Sequence, residues 1–541
     1  MRLRLGRGLA ALLAFALLGT MGSERAEAFC GFYVSGGGAS LYNNATQVVL
    51  MRDGMRTILS MQNNYQGPLE DFAMVIPVPI ILQQENVKTL DKALFDKIDQ
   101  LSAPRLVEYW EQDPCTPYRS DFNNGGSPVD DGDPGSVNNS NNSGVVVEAE
   151  FKVGEYEIAI LSAEDAGGLE RWLDTNNYNI PDGAAPFLAP YVESGSYFFV
   201  ARIIASEVRY ENGQAILSPL RFHYDSATFN LPIRLGLINA QDEQDLLVYI
   251  LGENQRYNVA NYPNVTIPTN INVQNEVRDN FGGFYNQLFE RTLSVNPGAI
   301  VTEYSWDAST CDPCPGPTLD GSDFLTLGAD TLGLGDETAW RNWTLTRLHA
   351  RYGRENLGED LVFQAAPSIV GGREFVIDAQ GNLEEGSQPS GINNFQGRYA
   401  IRHLWDGEIA CEEPVRGVWG GPPGDPFGQP GVDPALSPNT EGASEGSGSN
   451  NNSGDQGPLE DLVAEAVPEL NVVPSGNGGG GNNGGGGGNN GGGLPTNPNP
   501  EGAGDEVDSG CSAASVGGGA GLGGGLFVLG LLALRRARRR S

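Results

Sequence analysis

The sequence predicts an α+β fold with mixed, largely antiparallel sheets and packed helices, followed by a long disordered tether and a C-terminal hydrophobic segment. Strand-like and helix-like runs are interspersed over residues 29–411 without regular βαβ spacing, which favours α+β over a doubly wound sheet. Residues 412–510 are dominated by Gly, Asn, Pro, Ser and acidic residues, and residues 512–534 carry no charge. We therefore divide the chain into a signal peptide (1–28), an ectodomain (29–411), a tether (412–510) and a C-terminal sorting segment (511–541).

Local patterns place the elements of the ectodomain. Alternating apolar runs predict strands, and apolar residues spaced three or four apart predict helices. Asp53-Gly54 between two strand-like runs predicts a β-hairpin. Ser162 with Asp165 predicts an acidic variant of the capping box before a helix. Strands are predicted at 47–51, 56–62, 72–79, 107–110, twice within 145–161 around Gly154, and at 197–204, 299–306, 343–352 and 398–404; helices are predicted at 89–101, around Leu169, Trp172 and Leu173, and at 187–192 and 277–288.

Two internal stretches interrupt this pattern. Residues 123–144 consist mainly of Asn, Gly, Ser and Asp without apolar periodicity, which predicts a disordered, exposed insertion. The apolar content of 29–411 is sufficient for one sizeable domain or for two fused subdomains, and a seam near 240–271 is the alternative boundary.

The tether prediction rests on composition. Its most extreme part, GNGGGGNNGGGGGNNGGG at 476–493, cannot bury enough apolar surface to offset the entropy of ordering the chain. One island, PLEDLVAEAV at 458–467, has apolar residues at helical spacing. We interpret it as a transient helix, and a docking segment for a partner is the alternative.

The charge balance excludes one class of function. The formal net charge is −35 and the sequence pI is about 4.3, so phosphate backbones are repelled and no nucleic-acid partner is expected. No cofactor is predicted. Calcium is the alternative, because Asp130, Asp131, Asp133, Asp320 and Asp323 carry oxygen ligands, but none lies in a twelve-residue loop with a closing Glu. We interpret these acidic stretches as solvated loops.

The N-terminal residues predict export. Basic residues precede an apolar run at 9–18, and Ala26-Glu27-Ala28 follows, as in a secretory signal with a small-x-small cleavage site. We expect cleavage between Ala28 and Phe29 by the export machinery. A first transmembrane helix is the alternative, and the shortness of the apolar run disfavours it.

The C-terminal residues resemble the MYXO-CTERM sorting tag of myxobacteria and their relatives. The resemblance consists of a glycine–cysteine pair, a Gly-rich apolar segment and a basic cluster, which here are Gly510, Cys511, residues 526–534, and Arg535, Arg536, Arg538, Arg539 and Arg540. It implies membrane contact through 512–534, processing near Cys511 by a sortase-like membrane protease, and transfer to the cell surface. A permanent transmembrane helix is the alternative, but the glycines of 517–525 make it a poor helix.

The remaining cysteines predict disulfides. Setting Cys511 aside leaves an odd number, so one thiol stays unpaired; the candidates are Cys30, Cys115, Cys311, Cys314 and Cys411. A Cys311–Cys314 bridge with a pair among the others is one solution, and Cys115 or Cys411 bonded to one of the 311/314 pair is another. A redox C-x-x-C site is disfavoured, because Asp312 opposes a thiolate and Pro313 opposes a helix.

No catalytic or metal-binding constellation is visible. His223, His349 and His403 are far apart in the chain, and none has a His or Cys at metal-ligand spacing. We interpret them as three separate histidines with structural partners. The G-x-S-x-G at 442–446 lies in the tether without a flanking strand and helix, so it is a chance match.

Several stretches of the ectodomain resemble a known family. They are FCGFYV (29–34), QVVLMRDGMRTILSMQNNYQGPLEDFAMVIPVP (47–79), GEYEIAILSAEDAGGLERWL (154–173) and SPLRFHYDS (218–226). The family is number 2330 among the bacterial domains of unknown function, and the resemblance spans residue 29 to about 405. It implies an exported domain and supplies no catalytic residues.

These observations favour a non-enzymatic cell-surface or envelope protein that serves binding, adhesion or structure. Its ectodomain would be displayed on a flexible stalk outside the cytoplasm, held at the surface after processing or anchored in the membrane. An exported hydrolase whose site is assembled from distant residues is the alternative.

Overall fold

A long mixed sheet runs through the centre of the fold. The computed structural model describes residues 32–35, 42–66, 72–115, 146–176, 184–211, 214–239, 243–335, 339, 342–353, 358–373, 384, 386–422 and 457–475. The strands are β1 (Phe32–Ser35), β2 (Tyr42–Asp53), β3 (Arg56–Gln66), β4 (Phe72–Val78), β5 (Val87–Thr89), β6 (Arg105–Glu111), β7 (Val146–Val153), β8 (Tyr156–Ser162), β9 (Tyr197–Ile203), β10 (Arg209–Glu211), β11 (Gln214–Ile216), β12 (Leu220–Asp225), β13 (Asn230–Leu231), β14 (Gln244–Glu253), β15 (Arg256–Val259), β16 (Asn264–Thr266), β17 (Ile271–Asn272), β18 (Ile300–Asp307), β19 (Trp343–Tyr352), β20 (Leu361–Ala366), β21 (Ile369–Gly371), β22 (Gln388–Pro389), β23 (Asn394–Gln396), β24 (Arg398–His403) and β25 (Trp419–Gly420). The helices are α1 (Lys92–Ser102), α2 (Ala166–Thr175), α3 (Ala185–Glu193), α4 (Gly236–Asn239), α5 (Phe281–Val295), α6 (Gly321–Leu327) and α7 (Leu459–Leu462).

The central sheet is mixed but largely antiparallel. Its strands follow the order β22-β21-β23-β18-β19-β14-β2-β3-β12-β5, and β16 pairs with β18 outside this path. Within it, β14 runs parallel to β2, β16 parallel to β18, and β21 parallel to β23. The α+β prediction with largely antiparallel sheets is therefore confirmed. At the alternative seam near 240–271, β14 lies in the middle of this sheet, β15 belongs to a three-stranded sheet of order β13-β20-β15, and β17 begins a four-stranded sheet of order β17-β24-β6-β25.

The predicted hairpin is confirmed. Asp53 pairs with Arg56 across the turn, and Gly54 has φ +53°, a conformation that glycine adopts at little cost. Strand β4 also forms, but it does not follow β3 in the same sheet. It pairs instead with β1 and β9 in a five-stranded sheet of order β1-β4-β9-β8-β7.

The core lies on both faces of the central sheet. Successive residues of β2 alternate between the faces, as the pleat requires. Val48 and Leu50 face the five-stranded sheet, and Val49 and Met51 face α1 and α6. Helices α2 and α3 cover the outer face of the five-stranded sheet. The result is a layered arrangement of helices, sheet, sheet and helices.

The helix ends differ in detail from the prediction. Helix α1 begins at Lys92 because the Asp91 side chain accepts a hydrogen bond from Ala93 N. Before α2, Asp165 Oδ1 accepts from Gly168 N at 2.7 Å, whereas Ser162 Oγ donates to Glu148 Oε1 at 2.6 Å. The capping residue is thus Asp165. The capping role assigned to Ser162 is wrong, because this serine is the last residue of β8 and bonds across to β7.

Part of the predicted tether is folded. Residues 457–475 pack against α5 and β17, with Leu462 and Val463 at most 2% exposed, and β25 pairs with β6. The disordered-tether prediction for 412–510 is therefore wrong for β25 and for 457–475, and the apolar residues of 457–475 pack on α5.

Several predictions lie outside the described residues. They concern the signal peptide (1–28), Ala28, Phe29, Cys30, the insertion 123–144, the Gly-rich stretch 476–493, and the sorting segment 511–541 with Cys511 and its arginines. Within the part of the chain that the structure describes, no helix is long and apolar enough to span a bilayer.

Candidate functional site

A network of charged side chains lies inside the fold where β14, β18 and β19 meet α1 and α5. Its members, here called the central ionic network, are Asp99, Asp245, Glu303, Arg347, His349 and Arg351. Buried charges are costly unless they are paired, and the Glu303 and Arg347 side chains at its centre are almost completely buried.

The strand pleat places half of the network on one face. Arg347, His349 and Arg351 are alternate residues of β19 and therefore point to the same side of the sheet. On β14, Asp245 lies opposite Arg351 and Tyr249 lies opposite Arg347. Direct cross-strand pairing therefore brings Asp245 to Arg351, with Arg351 Nε 2.8 Å from Asp245 Oδ1.

A β-bulge accompanies the buried carboxylate. The register between β18 and β19 shifts between Thr302 and Tyr304, and Glu303 is the residue between them. Bulges re-aim side chains, which is the structural role here. The Glu303 side chain is fully buried, and its carboxylate faces Arg347 and His349.

Glu303 is the hub of the network. Arg347 Nε lies 2.6 Å from Glu303 Oε2, and His349 Nδ1 lies 2.7 Å from Oε1, which also accepts a hydrogen bond from the Tyr285 hydroxyl of α5. Burial raises the pKa of the Glu303 carboxyl, but His349 and Arg347 outweigh it and hold the pKa at about 2. The group is a carboxylate at neutral pH.

His349 lies between two carboxylates. Its Nε2 is 3.2 Å from Asp245 Oδ1, and its ring stacks on Phe289 at 4.0 Å between centroids. Burial lowers the pKa of His349, but Glu303 and Asp245 outweigh this effect and the net shift is upward. Conversely, burial raises the pKa of Asp245, whereas His349 and Arg351 hold it well below its ordinary value.

Arg347 extends the network to α1. Its Nη1 lies 2.6 Å from Asp99 Oδ1, and the same oxygen accepts a 2.7 Å hydrogen bond from the Tyr249 hydroxyl. The network therefore combines three acidic side chains with two arginines and with a histidine whose pKa is raised. Pairing with groups of opposite charge is the arrangement in which buried charges are tolerated.

In this geometry both ring nitrogens of His349 are engaged in charge pairing, which leaves neither nitrogen for general-base catalysis. A histidine that acts as a general base needs one ring nitrogen free for the proton of a nucleophile. In His349 both nitrogens face carboxylates, and the position of the nucleophile is taken by Asp245. Among the described residues, no group of three or more His, Cys, Asp or Glu side chains could hold a metal ion.

The other two histidines lie in separate settings. His403 Nε2 is 2.7 Å from Glu108 Oε2, and its ring stacks on Trp110 at 4.8 Å; Arg278 Nε also binds Glu108 at 2.7 Å. Glu108 and His403 are brought together because β6 and β24 run parallel. His223 Nε2 faces Asn86 Nδ2 at 3.2 Å. Each histidine thus has its own structural partner, as the sequence predicts.

The cysteines pair in one of the predicted ways. Cys115 is bonded to Cys411 with Cα atoms 5.5 Å apart, and Cys311 is bonded to Cys314 with Cα atoms 4.9 Å apart. The first bridge joins the end of the β6 region to the segment after β24. Cys30, the fifth ectodomain cysteine, lies outside the described residues.

The acidic residues considered for calcium have other roles where they are described. The Asp320 side chain accepts hydrogen bonds from Ser322 N and Asp323 N at the start of α6. Asp323 forms an ion pair with Lys97 of α1 at 2.5 Å. Asp130, Asp131 and Asp133 lie outside the described residues.

Sequence reasoning missed the central ionic network. One available signal was the charged residue at every second position of the strand predicted at 343–352: Arg347, His349 and Arg351. No such signal is present for Asp99 and Glu303. Asp99 lies on helix α1 and Glu303 lies at a bulge in β18, so neither belongs to the alternating pattern of β19.

Comparison with known proteins gives one match. Residues 24–364 match a family described as uncharacterised protein conserved in bacteria, DUF2330, and this range contains every member of the central ionic network. No curated protein and no solved structure matches the chain. The match covers more than half of the chain, so this protein belongs to the DUF2330 family of uncharacterised bacterial proteins.

Proposed function

We propose that this protein is an exported, non-enzymatic ectodomain that serves binding, adhesion or envelope structure at the cell surface. Its C-terminal residues would deliver it there by way of a sorting tag and display it on a tether. The single observation that carries the proposal is the disulfide between Cys115 and Cys411.

The disulfides support a location outside the cytoplasm. Structural disulfides form and persist in oxidising compartments and are rare in the cytosol of mesophiles. The Cys115–Cys411 bridge joins residues separated by 296 positions, so it restricts the unfolded chain over most of the ectodomain and has a structural role. This agrees with the secretory signal predicted at residues 1–28.

The central ionic network supports a non-enzymatic role. One common hydrolase mechanism uses a histidine that accepts a proton from a nucleophile. The most buried histidine, His349, instead has both ring nitrogens facing carboxylates, those of Glu303 and Asp245. The network to which it belongs links three strands and two helices.

The tail supports display rather than simple secretion. Because residues 457–475 pack on the ectodomain, the predicted tether starts after Ser475. Residues 476–510 are rich in Gly and Asn and separate the ectodomain from Gly510, Cys511 and the arginine cluster of the predicted tag. In this proposal a sortase-like membrane protease processes the chain near Cys511.

The experiment is surface display of the full chain in a bacterium of the kind that carries the tag. Intact cells are treated with protease and the ectodomain is followed by immunoblot. We expect digestion of the wild type, whereas Cys511→Ala stays unprocessed in the inner membrane. Ser512→Ala, next to it, is the matched control and should be displayed normally.

Two results would contradict the proposal in distinguishable ways. Normal display of Cys511→Ala would contradict the proposed sorting tag but would not contradict export. Export itself would be contradicted by an intact chain in the cytosolic fraction. Such a chain would be uncut at both ends, and its Cys115 and Cys411 would react with a thiol reagent.

A further inference from the structure

The segment 457–475, here called the latch, covers an apolar groove on the ectodomain. It begins at Gly457, forms α7, and continues through a 3₁₀ turn at Pro468–Leu470. Both of these turns pack on α5. Its apolar side chains are buried in the same cluster as those of α5 and β17: Leu459, Leu462, Val463, Val467, Leu470 and Val472.

Backbone hydrogen bonds fix the register of the latch on β17 and the residue after it. Val463 forms a β-bridge with Val273. Gln274 N donates to Leu462 O, and Ala464 N donates to Asn272 O, both at 2.8 Å. Main-chain pairing at a strand edge, together with apolar side chains in a groove, is how folded domains bind extended peptides.

Polar contacts complete the fit. Arg291 Nε of α5 donates to Leu470 O at 2.9 Å, and Asn272 N donates to Glu465 Oε1 at 2.7 Å. The latch carries four acidic side chains, Glu460, Asp461, Glu465 and Glu469. The groove therefore accepts a segment with spaced leucine and valine side chains and binds the carboxylate of Glu465.

The latch is also closed on itself. Val467 N and Val472 O are 2.9 Å apart, and Ser475 N donates to Glu460 O at 2.9 Å, so the two ends of the latch meet. Residues 423–456 before it and 476–493 after it are rich in Gly, Asn, Ser and Pro. The groove elements β17 and α5 lie within the family match at 24–364, whereas the latch lies beyond it.

We infer that the groove formed by β17, the following 3₁₀ turn and α5 is a peptide-binding site, and that residues 457–475 are its detachable ligand in the same chain. The latch enters and leaves as one unit while the layered sheets stay folded. Low-stability units of this kind open separately from the global core. This inference does not depend on where the protein is located.

The test uses the full chain in detergent with a specific protease site inserted between residues 423 and 456. After cleavage, a fluorescent peptide of residues 457–475 is added and its anisotropy is followed. We expect the latch fragment to exchange for the labelled peptide with a dissociation constant in the micromolar range. A Leu462→Asp peptide should bind about 30-fold more weakly or worse, because one apolar anchor is lost.

Hydrogen exchange of the uncut chain gives a second measurement that requires no variant to fold. Amides of Val463 and Ala464 should exchange at least about 10-fold faster than those of Val248 and Ile250 in β14. Equal rates would overturn the inference, because the latch would then open only on global unfolding. So would a cleaved chain that never admits the labelled peptide, or one that binds both peptides equally.

Discussion

Glu303 and Arg347 form an ion pair in the interior, with Arg347 Nε 2.6 Å from Glu303 Oε2 and both side chains at most 1% exposed. Each has further partners: His349 and Tyr285 for Glu303, and Asp99 for Arg347. A buried pair of this kind contributes little net free energy when it is intact, but removing one partner leaves an uncompensated charge. The pair therefore makes the fold sensitive to single substitutions at the centre of the sheet.

Substitution of the hub carboxylate should be severe. Glu303→Gln removes the negative charge that faces Arg347 and His349, so we expect the free energy of unfolding to fall by about 3–5 kcal/mol. Urea-induced unfolding measures it. Glu290→Gln is the matched control, because its carboxylate is 57% exposed and lies 3.5 Å from Arg351. The Glu290→Gln substitution should lower the free energy of unfolding by less than about 1 kcal/mol. Similar losses in the two variants would show that Glu303 is not a hub.

The stability should decline at alkaline pH because of His349. Its folded-state pKa is raised, so its contribution is complete below the unfolded-state pKa of about 6.5 and is lost as pH rises through the folded-state pKa. Tm measured from neutral to alkaline pH should fall more steeply for the wild type than for His349→Gln, which does not titrate.

His223→Gln is the control for that experiment. Burial lowers the pKa of His223, so this residue contributes stability above its unfolded-state pKa and loses it as pH falls. The alkaline decline should therefore persist in His223→Gln. If His349→Gln retained the full alkaline decline, the charged state assigned to His349 would be wrong.

The two disulfides should differ in their contribution to stability. In the chain-entropy argument, a bridge stabilises more when it closes a longer loop, and the sequence separations are 296 for Cys115–Cys411 and 3 for Cys311–Cys314. Replacing both Cys115 and Cys411 with Ser should lower the free energy of unfolding by about 2–5 kcal/mol.

Replacement of both Cys311 and Cys314 with Ser is the matched comparison. It should lower the free energy of unfolding by less than the Cys115 and Cys411 replacement does. Urea unfolding under non-reducing conditions measures both variants. Peptide mapping of the non-reduced protein checks the pairing itself. A Cys115–Cys311 or Cys314–Cys411 linkage in that map would contradict the structure.

The sequence by itself determined the local elements and the fold class. Asp53-Gly54 specifies its hairpin because only a few residue types adopt a positive φ there. The helix α1 likewise needs only its apolar spacing and the Asp91 cap. These are interactions between residues close in the chain, so a linear pattern contains them.

The tertiary structure alone decided which distant groups meet. The residues next to Glu303 in the chain do not predict that it pairs with Arg347 or His349. The bulge that orients the Glu303 side chain depends on the partner strand β19. The pairing of Cys115 with Cys411 was one of several that cysteine number allows. The island at 458–467 reads as an isolated segment in the sequence, and only the apolar face of α5 makes it part of the fold. The physical reason is that burial and charge pairing depend on contacts across the sheets, and local sequence does not encode them.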